Sequence, residues 1–244
     1  MNRDTVTAGG ATATTVAPAP WHLKGRGFMF LYHFPKAWGD KKLFMPDEQR
    51  GTYEGGLGAL MLVDYESSEA GPYRELLLIP GTFRWNDYHR HAISRIWVSS
   101  PASVVNGRAN WGIPKQLAEF TTSKQPGRRE TWDVKEDGNT FFSAQIRYGR
   151  VPLPMHTALV PFPLLQWLGG KGFLTRFSGY GIGRLATLEN LVVNSDVFPD
   201  ISGRRPILGL EIEPFFITFP LPEMVTEAAN SNLATNSGAL HTAP

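Results

Sequence analysis

Cysteine is absent from the 244 residues, which excludes disulfide frameworks, cysteine-ligated zinc, iron–sulfur clusters and thiol nucleophiles together. A surplus of one charge is missing too. Lys and Arg number 24 against 22 Asp and Glu, so strong nucleic-acid binding is disfavoured. No run reaches the roughly 18 apolar residues that a membrane-spanning helix needs, and no basic start followed by an apolar stretch marks a secretory signal. The expectation is a soluble, cytoplasmic protein with neither a nucleic-acid nor a membrane partner. Two catalytic signatures are also lacking: there is no Gly-x-Ser-x-Gly elbow and no paired-His helix motif, so serine hydrolase and zinc protease chemistry have no defining residues.

What is present is a chain long enough to bury a core without staples. Residues 1–20 alternate Thr, Ala, Gly and Pro, and residues 225–244 are mostly Ala, Asn, Ser and Thr. Both read as loose tails flanking one domain at 21–224. Inside that domain, short apolar runs are punctuated by Gly and Pro, the pattern of strands. Strands are expected at 28–33, 57–65, 75–79, 93–99, 131–135, 141–148 and 208–219. In the sixth, Phe142, Ala144, Ile146 and Tyr148 alternate with more polar neighbours and give one core-facing side. Asp137-Gly138 between two such runs predicts a hairpin turn. Helical signal is confined to 162–168 and 183–193. The predicted fold is mainly β: a single antiparallel β-barrel-like domain, closed barrel or sandwich, with a few short helices.

One lysine stands in an apolar setting. Around Lys115 the chain carries Trp111, Ile113, Pro114, Leu117 and Phe120, and desolvation of this kind lowers a lysine pKa toward the range where free amine exists. A free amine attacks carbonyl carbon. The competing reading is a lysine whose stem packs on Trp while its head reaches water. His89 and His91 face one way on an extended segment, but a catalytic zinc needs a third ligand, and none is suitably spaced. The glycine-rich segment from Gly179 to Arg184 lacks dinucleotide and P-loop spacing and reads as a flexible turn.

The run Gly107-Arg108, followed after five residues by Pro114-Lys115 and preceded by Gly71-Pro72-Tyr73-Arg74-Glu75, resembles the acetoacetate decarboxylase family. That family's pattern is Gly-Arg-Glu, four residues, then Pro-Lys-Lys, with a Gly-x-Tyr-x-Glu element about forty residues upstream. The resemblance implies that Lys115 is a Schiff-base lysine and that Glu75 is a catalytic carboxylate. It also implies that Arg26, before the aromatic strand Gly27-Phe28-Met29-Phe30, grips a substrate carboxylate. Trp111, Ile113 and Phe120 would wall the substrate site and keep the lysine dry. No cofactor is implied. The implied partner is a small keto acid or apolar carbonyl compound, and the family's multimers imply a homo-oligomer.

The chain departs from the pattern at two polar positions. The second lysine, whose charge is the usual explanation for the activated amine, is Gln116, and the glutamate of Gly-Arg-Glu is Ala109. Activation would then fall to burial. The expected function is a cofactor-independent lyase acting on a β-keto acid or related keto compound through a lysine imine, with decarboxylation as the default outcome. The alternatives are aldolase, dehydratase or cyclase chemistry of specialised metabolism on the same scaffold, or a non-catalytic barrel that binds a small molecule.

Overall fold

The computed structural model describes residues 15–43, 51–86, 88–159 and 162–225. In chain order these form β1 (Trp21–Phe34), α1 (Lys36–Lys42), β2 (Tyr53–Ser67), β3 (Tyr73–Ile79), β4 (Thr82–Trp85), β5 (Tyr88–His91) and β6 (Arg95–Val98). There follow α2 (Pro101–Trp111), β7 (Lys115–Leu117), β8 (Glu119–Gln125), β9 (Arg129–Glu136), β10 (Asn139–Tyr148) and β11 (Leu153–His156). A short 3₁₀ turn at Thr157–Leu159 leads to β12 (Leu164–Leu168), β13 (Lys171–Thr175), β14 (Ser178–Val193), β15 (Leu208–Phe219) and β16 (Glu223–Val225).

All sixteen strands join one sheet, whose main ladder runs β16-β13-β12-β5-β4-β2-β1-β15-β14-β10-β9-β8. The expected mainly β, antiparallel architecture holds, with the sheet open rather than closed into a barrel. Among the described residues, β8 pairs only with β9 and β16 only with β13, so the ladder stays open. Its centre, β1-β2-β3, is covered on both sides, and strand alternation divides the side chains between two cores. Phe28, Phe30, Leu60, Leu62, Leu76 and Leu78 enter one core with Trp97, Trp132 and Phe142. Leu23, Val63, Tyr65, Tyr73, Leu77 and Ile79 enter the other with Trp111 and Ile113. Burial on both faces is why these strands read as nearly continuous apolar runs.

The seven expected strands fall on β1, β2, β3, β6, β9, β10 and β15. Asp137 and Gly138, with φ of 49° and 76°, make the hairpin turn between β9 and β10 in the left-handed conformation that Asp-Gly tolerates. Both expected helices are strands instead. Residues 162–168 contain β12, a run too short for periodicity to separate helix from strand. Residues 183–193 are the second half of β14, paired with both β10 and β15. The glycine-rich segment expected as a turn lies in the same strand. A Cβ on Gly179 would stand 2.5 Å from the Phe216 carbonyl oxygen, so these glycines admit close strand approach.

Residues 15–20, expected as loose tail, are bound to α2: the Ala17 amide donates to Asn106 Oδ1 at 2.8 Å, and Asn106 Nδ2 donates to the Thr15 carbonyl at 2.9 Å. Ala17 is buried. The remainder of both expected tails, residues 1–14 and 226–244, lies outside the described residues. No helix among the described residues is long and apolar enough to cross a membrane.

Candidate active site

Helix α2 builds the floor of the site. Ser100 caps it by accepting from the Ser103 amide, Pro101 occupies its first turn, and Gly112 ends it in the left-handed conformation at φ 63°. Ser-Pro at the start and Gly just past the end are a legible helix signature. The helix escapes periodicity because its buried face is Ser103, Asn106, Gly107 and Trp111, three of which are not apolar. Each has a task at the lysine or at the strap of residues 15–20.

Lys115 opens β7, which runs parallel to β6 with Lys115 opposite Ile96. Its side chain is 5% exposed. Nζ donates to Glu75 Oε2 at 2.9 Å, to Ser103 Oγ at 3.0 Å and to the Tyr73 hydroxyl at 3.3 Å. All three donor directions of the ammonium are therefore used. The stem lies against Gly107, where a Cβ would meet Cδ at 2.8 Å and Cε at 2.9 Å. Arg108 Nε holds the Lys115 carbonyl at 2.9 Å. The Gly107-Arg108 pair thus acquires a physical purpose: one residue leaves room for the lysine stem and the other pins its backbone.

The second carboxylate oxygen of Glu75 accepts from the Tyr65 hydroxyl at 3.1 Å. Tyr65 and Tyr73 lie ring to ring at 4.6 Å, and burial pushes the Tyr73 hydroxyl up to about 12. Burial likewise raises Tyr65 well above the ordinary tyrosine range, so both phenols stay protonated. Trp21 stands over the ammonium at 5.8 Å and meets Trp111 edge to face at 5.0 Å. These groups and Ile113 border a cavity of about 70 Å³ whose other walls are apolar.

The expectation that burial alone would free the amine is corrected by this geometry. Burial is the largest influence on Lys115 and lowers its pKa. The Glu75 carboxylate and the Tyr73 hydroxyl together outweigh it, so the pKa ends above the ordinary lysine value. The resting lysine is an ammonium paired with Glu75. Gln116 follows Lys115 in β7, opposite Trp97 in the register, and alternation turns it to the other face. A cation at position 116 would point away from the amine, and Ala109 is on the exposed side of α2.

Two sequence-derived residues lie elsewhere. Arg26 shares the β1 face of Phe28 and Phe30 and makes a two-pronged pair with Glu130, at 2.7 and 2.9 Å. The pair is closed on itself in the other core, and Arg26 does not border the lysine cavity. The reason is parity: an even-numbered residue on this stretch of β1 faces away from odd-numbered Tyr73 and Glu75 of β3. Phe120, on β8, packs against that same other core. The structure therefore brings together Lys115, Glu75, Trp111 and Ile113, and adds Tyr65, Tyr73, Ser103, Gly107 and Trp21. Of these additions, Tyr73 and Gly107 belong to the motif itself, and Ser103 was findable from the helix signature.

Among the described residues, no group of three or more His, Asp or Glu side chains gathers as a metal site. His89 Nδ1 is 2.8 Å from Glu54, while His91 Nε2 is 3.1 Å from the Leu57 carbonyl.

Comparison with known proteins places this geometry in context. The family model described as acetoacetate decarboxylase matches residues 48–169, a span that holds Glu75, α2 and Lys115. The rice protein NEOXANTHIN-DEFICIENT 1 (Oryza sativa subsp. japonica) is 32% identical over 127 residues, 51% of this chain and 40% of that protein. The chain thus spans well under half the length of this curated relative. Among solved structures, the enduracididine biosynthesis enzyme MppR, complexed with the condensation product of pyruvate and imidazole 4-carboxaldehyde, superposes with a TM-score of 0.63. It is 15% identical, with 91% of this chain and 99% of that one covered. Acetoacetate decarboxylase from Legionella pneumophila gives 0.61 at 14% identity, over 92% and 94% of the two chains. At these identities the structural likeness concerns the fold.

Proposed function

The chain belongs to the acetoacetate decarboxylase family, and from that premise we propose that it is a lyase-type enzyme in which Lys115 forms an imine with a small carbonyl compound. The observation that carries this reading is the contact of a buried lysine Nζ with the Glu75 carboxylate at 2.9 Å on the wall of a cavity. A lysine held there solely for stability would be replaceable by an apolar side chain of the same volume.

The pair supplies both halves of the proton bookkeeping. The ammonium passes a proton to Glu75, and the freed nitrogen lone pair forms a bond to the carbonyl carbon as the carbonyl π electrons move to oxygen. A proton shifts from nitrogen to that oxygen to give the neutral carbinolamine. Glu75 then returns its proton to the hydroxyl, water leaves, and the iminium remains opposite the Glu75 carboxylate. The Tyr65 hydroxyl on the other carboxylate oxygen and the Ser103 hydroxyl at Nζ hold both partners in place. The iminium draws electrons from the adjacent carbon, so loss of carbon dioxide, proton removal or carbon–carbon bond formation there becomes easier.

Of these outcomes, we favour condensation or its reverse over decarboxylation. Arg26, the implied grip for a substrate carboxylate, is engaged by Glu130, and among the described residues lining the lysine cavity the only cation is Lys115 itself. The condensation product held by the enduracididine enzyme supports the same preference. The test is incubation with simple ketones and cyanoborohydride, followed by peptide mapping. A secondary-amine adduct on Lys115 is expected. An adduct confined to other lysines would remove the mechanism, and ligand binding with no adduct at all would favour the non-catalytic barrel.

A further inference from the structure

The chamber at Lys115 does not end at the lysine. Met61, Tyr65, Ile79, Phe177 and Ile217 line it and also line a second cavity, of about 110 Å³, between β1, β2, β14 and β15. The farther walls are Met29, Met155, Phe162, Ile212 and Phe215. Among the described lining residues of this annex there is no Lys, Arg, Asp or Glu. Its polar groups are the Tyr65 and Tyr180 hydroxyls, Thr157 and the exposed His156, whose Nδ1 is occupied by the Ala158 amide at 3.1 Å. Gly27, Gly179 and Gly181 contribute backbone without side chains to the same wall, and three methionines supply adaptable surface. Nothing in the imine step described above uses this space.

We propose that the substrate of Lys115 is a neutral ketone or aldehyde with an extended apolar body, and that this body lies in the annex while its carbonyl reaches the lysine. The inference rests on the imine reading and names the substrate class for it. A short β-keto acid leaves the annex unfilled and sets its carboxylate among apolar walls beside one cation already paired with Glu75, an arrangement that burial penalises. A carbonyl at the end of an apolar chain meets neither cost. Each methylene moved from water into the annex strengthens binding by about fourfold.

The test uses 2-alkanones from propanone to 2-undecanone, with acetoacetate as the short charged comparison. Half-saturating concentrations for cyanoborohydride trapping on Lys115 are read by peptide mass, and binding is read separately by calorimetry. The expected result is a fall of about fourfold per added methylene that levels off once the annex is full. In Met155→Trp, placed on the short strand β11, the ratio between long and short ketones should collapse toward one. Equal trapping across the series, or preference for acetoacetate, would overturn the annex while leaving the imine intact. Length-dependent binding without any adduct would uphold the annex and remove the imine. Absence of both would remove both.

Discussion

Among the described residues, the Arg26–Glu130 and Lys115–Glu75 ion pairs are buried on opposite faces of one sheet, and they are built for different ends. Arg26 and Glu130 meet fork to fork, with Glu130 fully buried and Asp64 at 3.7 Å as a second acid. Burial works against the guanidinium charge but Glu130 outweighs it, so the Arg26 pKa is raised. This pair holds no proton to give. Lys115 and Glu75 are equally dry, yet they join at one oxygen, share hydroxyls from Tyr73, Ser103 and Tyr65, and border a cavity. An amine can lose its proton where a guanidinium cannot. Burial and charge are therefore shared by both pairs, and what marks a site for chemistry is a titratable cation beside open volume.

Breaking each pair separates the two roles most sharply. Lys115→Met should take ketone trapping to the uncatalysed background while leaving Glu75 with the Tyr65 hydroxyl. Arg26→Met should leave Glu130 unpaired in the other core, at a cost of about 3–5 kcal/mol, with trapping on Lys115 retained in the folded fraction. Chemical denaturation and adduct mass report the two effects independently. Loss of trapping in Arg26→Met at full folding would return that arginine to the site.

Glu75→Gln sharpens the comparison by changing the sign of a pH effect. In the native protein the Lys115 pKa is raised above 10.5, so the pair's stabilisation is present below the ordinary lysine value and is lost as pH climbs through the raised one. With glutamine at 75, the carboxylate is gone and only the Tyr73 hydroxyl still works against burial, so the amine should fall below its ordinary value. Stability should then be lower at neutral pH by about 3–5 kcal/mol and should rise with pH up to the ordinary lysine range. The pH at which trapping begins should move to the acid side. Denaturation midpoints and trapping rates measured across pH check both. A trapping onset unchanged by the substitution would show that Glu75 does not govern the amine.

The same contrast explains what could be read before any coordinates. Strands with one or two apolar faces announce themselves, so β1, β2, β3, β10 and β15 were legible from side-chain pattern. Lys115 and Glu75 were legible as a motif with an apolar neighbourhood. The destination of Arg26 was not, because facing depends on strand parity across a register that pairs Arg26 with Asp64, and a single residue's slip would reverse it. Residues 183–193 contain good helix formers such as Leu185, Ala186, Leu188 and Glu189, and pairing with β15 at 183–185 and then with β10 along 186–193 overrides that propensity. Helix α2 was hidden for the opposite reason. Apart from Trp111, its inward face serves the lysine and the strap of residues 15–20 rather than a core, so Ser103, Asn106 and Gly107 stand where periodicity looks for leucine.

Gly107→Ala probes that service with the smallest change. The new Cβ would stand 2.8 and 2.9 Å from Lys115 Cδ and Cε, short of the roughly 3.5 Å of ordinary carbon contact. The lysine stem is flexible, but its head is held by Glu75, Ser103 and Tyr73, and its carbonyl by Arg108. Displacement must therefore come out of the Nζ position. Alanine gains about 1 kcal/mol over glycine within a helix, against about 1–3 kcal/mol for crowding a packed interior, so the net change in stability should stay within about 2 kcal/mol. A reacting atom moved by this distance loses far more in rate, roughly ten- to a hundredfold. The expected result is a protein that unfolds near the native denaturant midpoint and traps ketone at a few per cent of the native rate. Native trapping in Gly107→Ala would mean that the close seat of the lysine on α2 serves packing alone, and the comparison between the two buried pairs would lose its geometric basis.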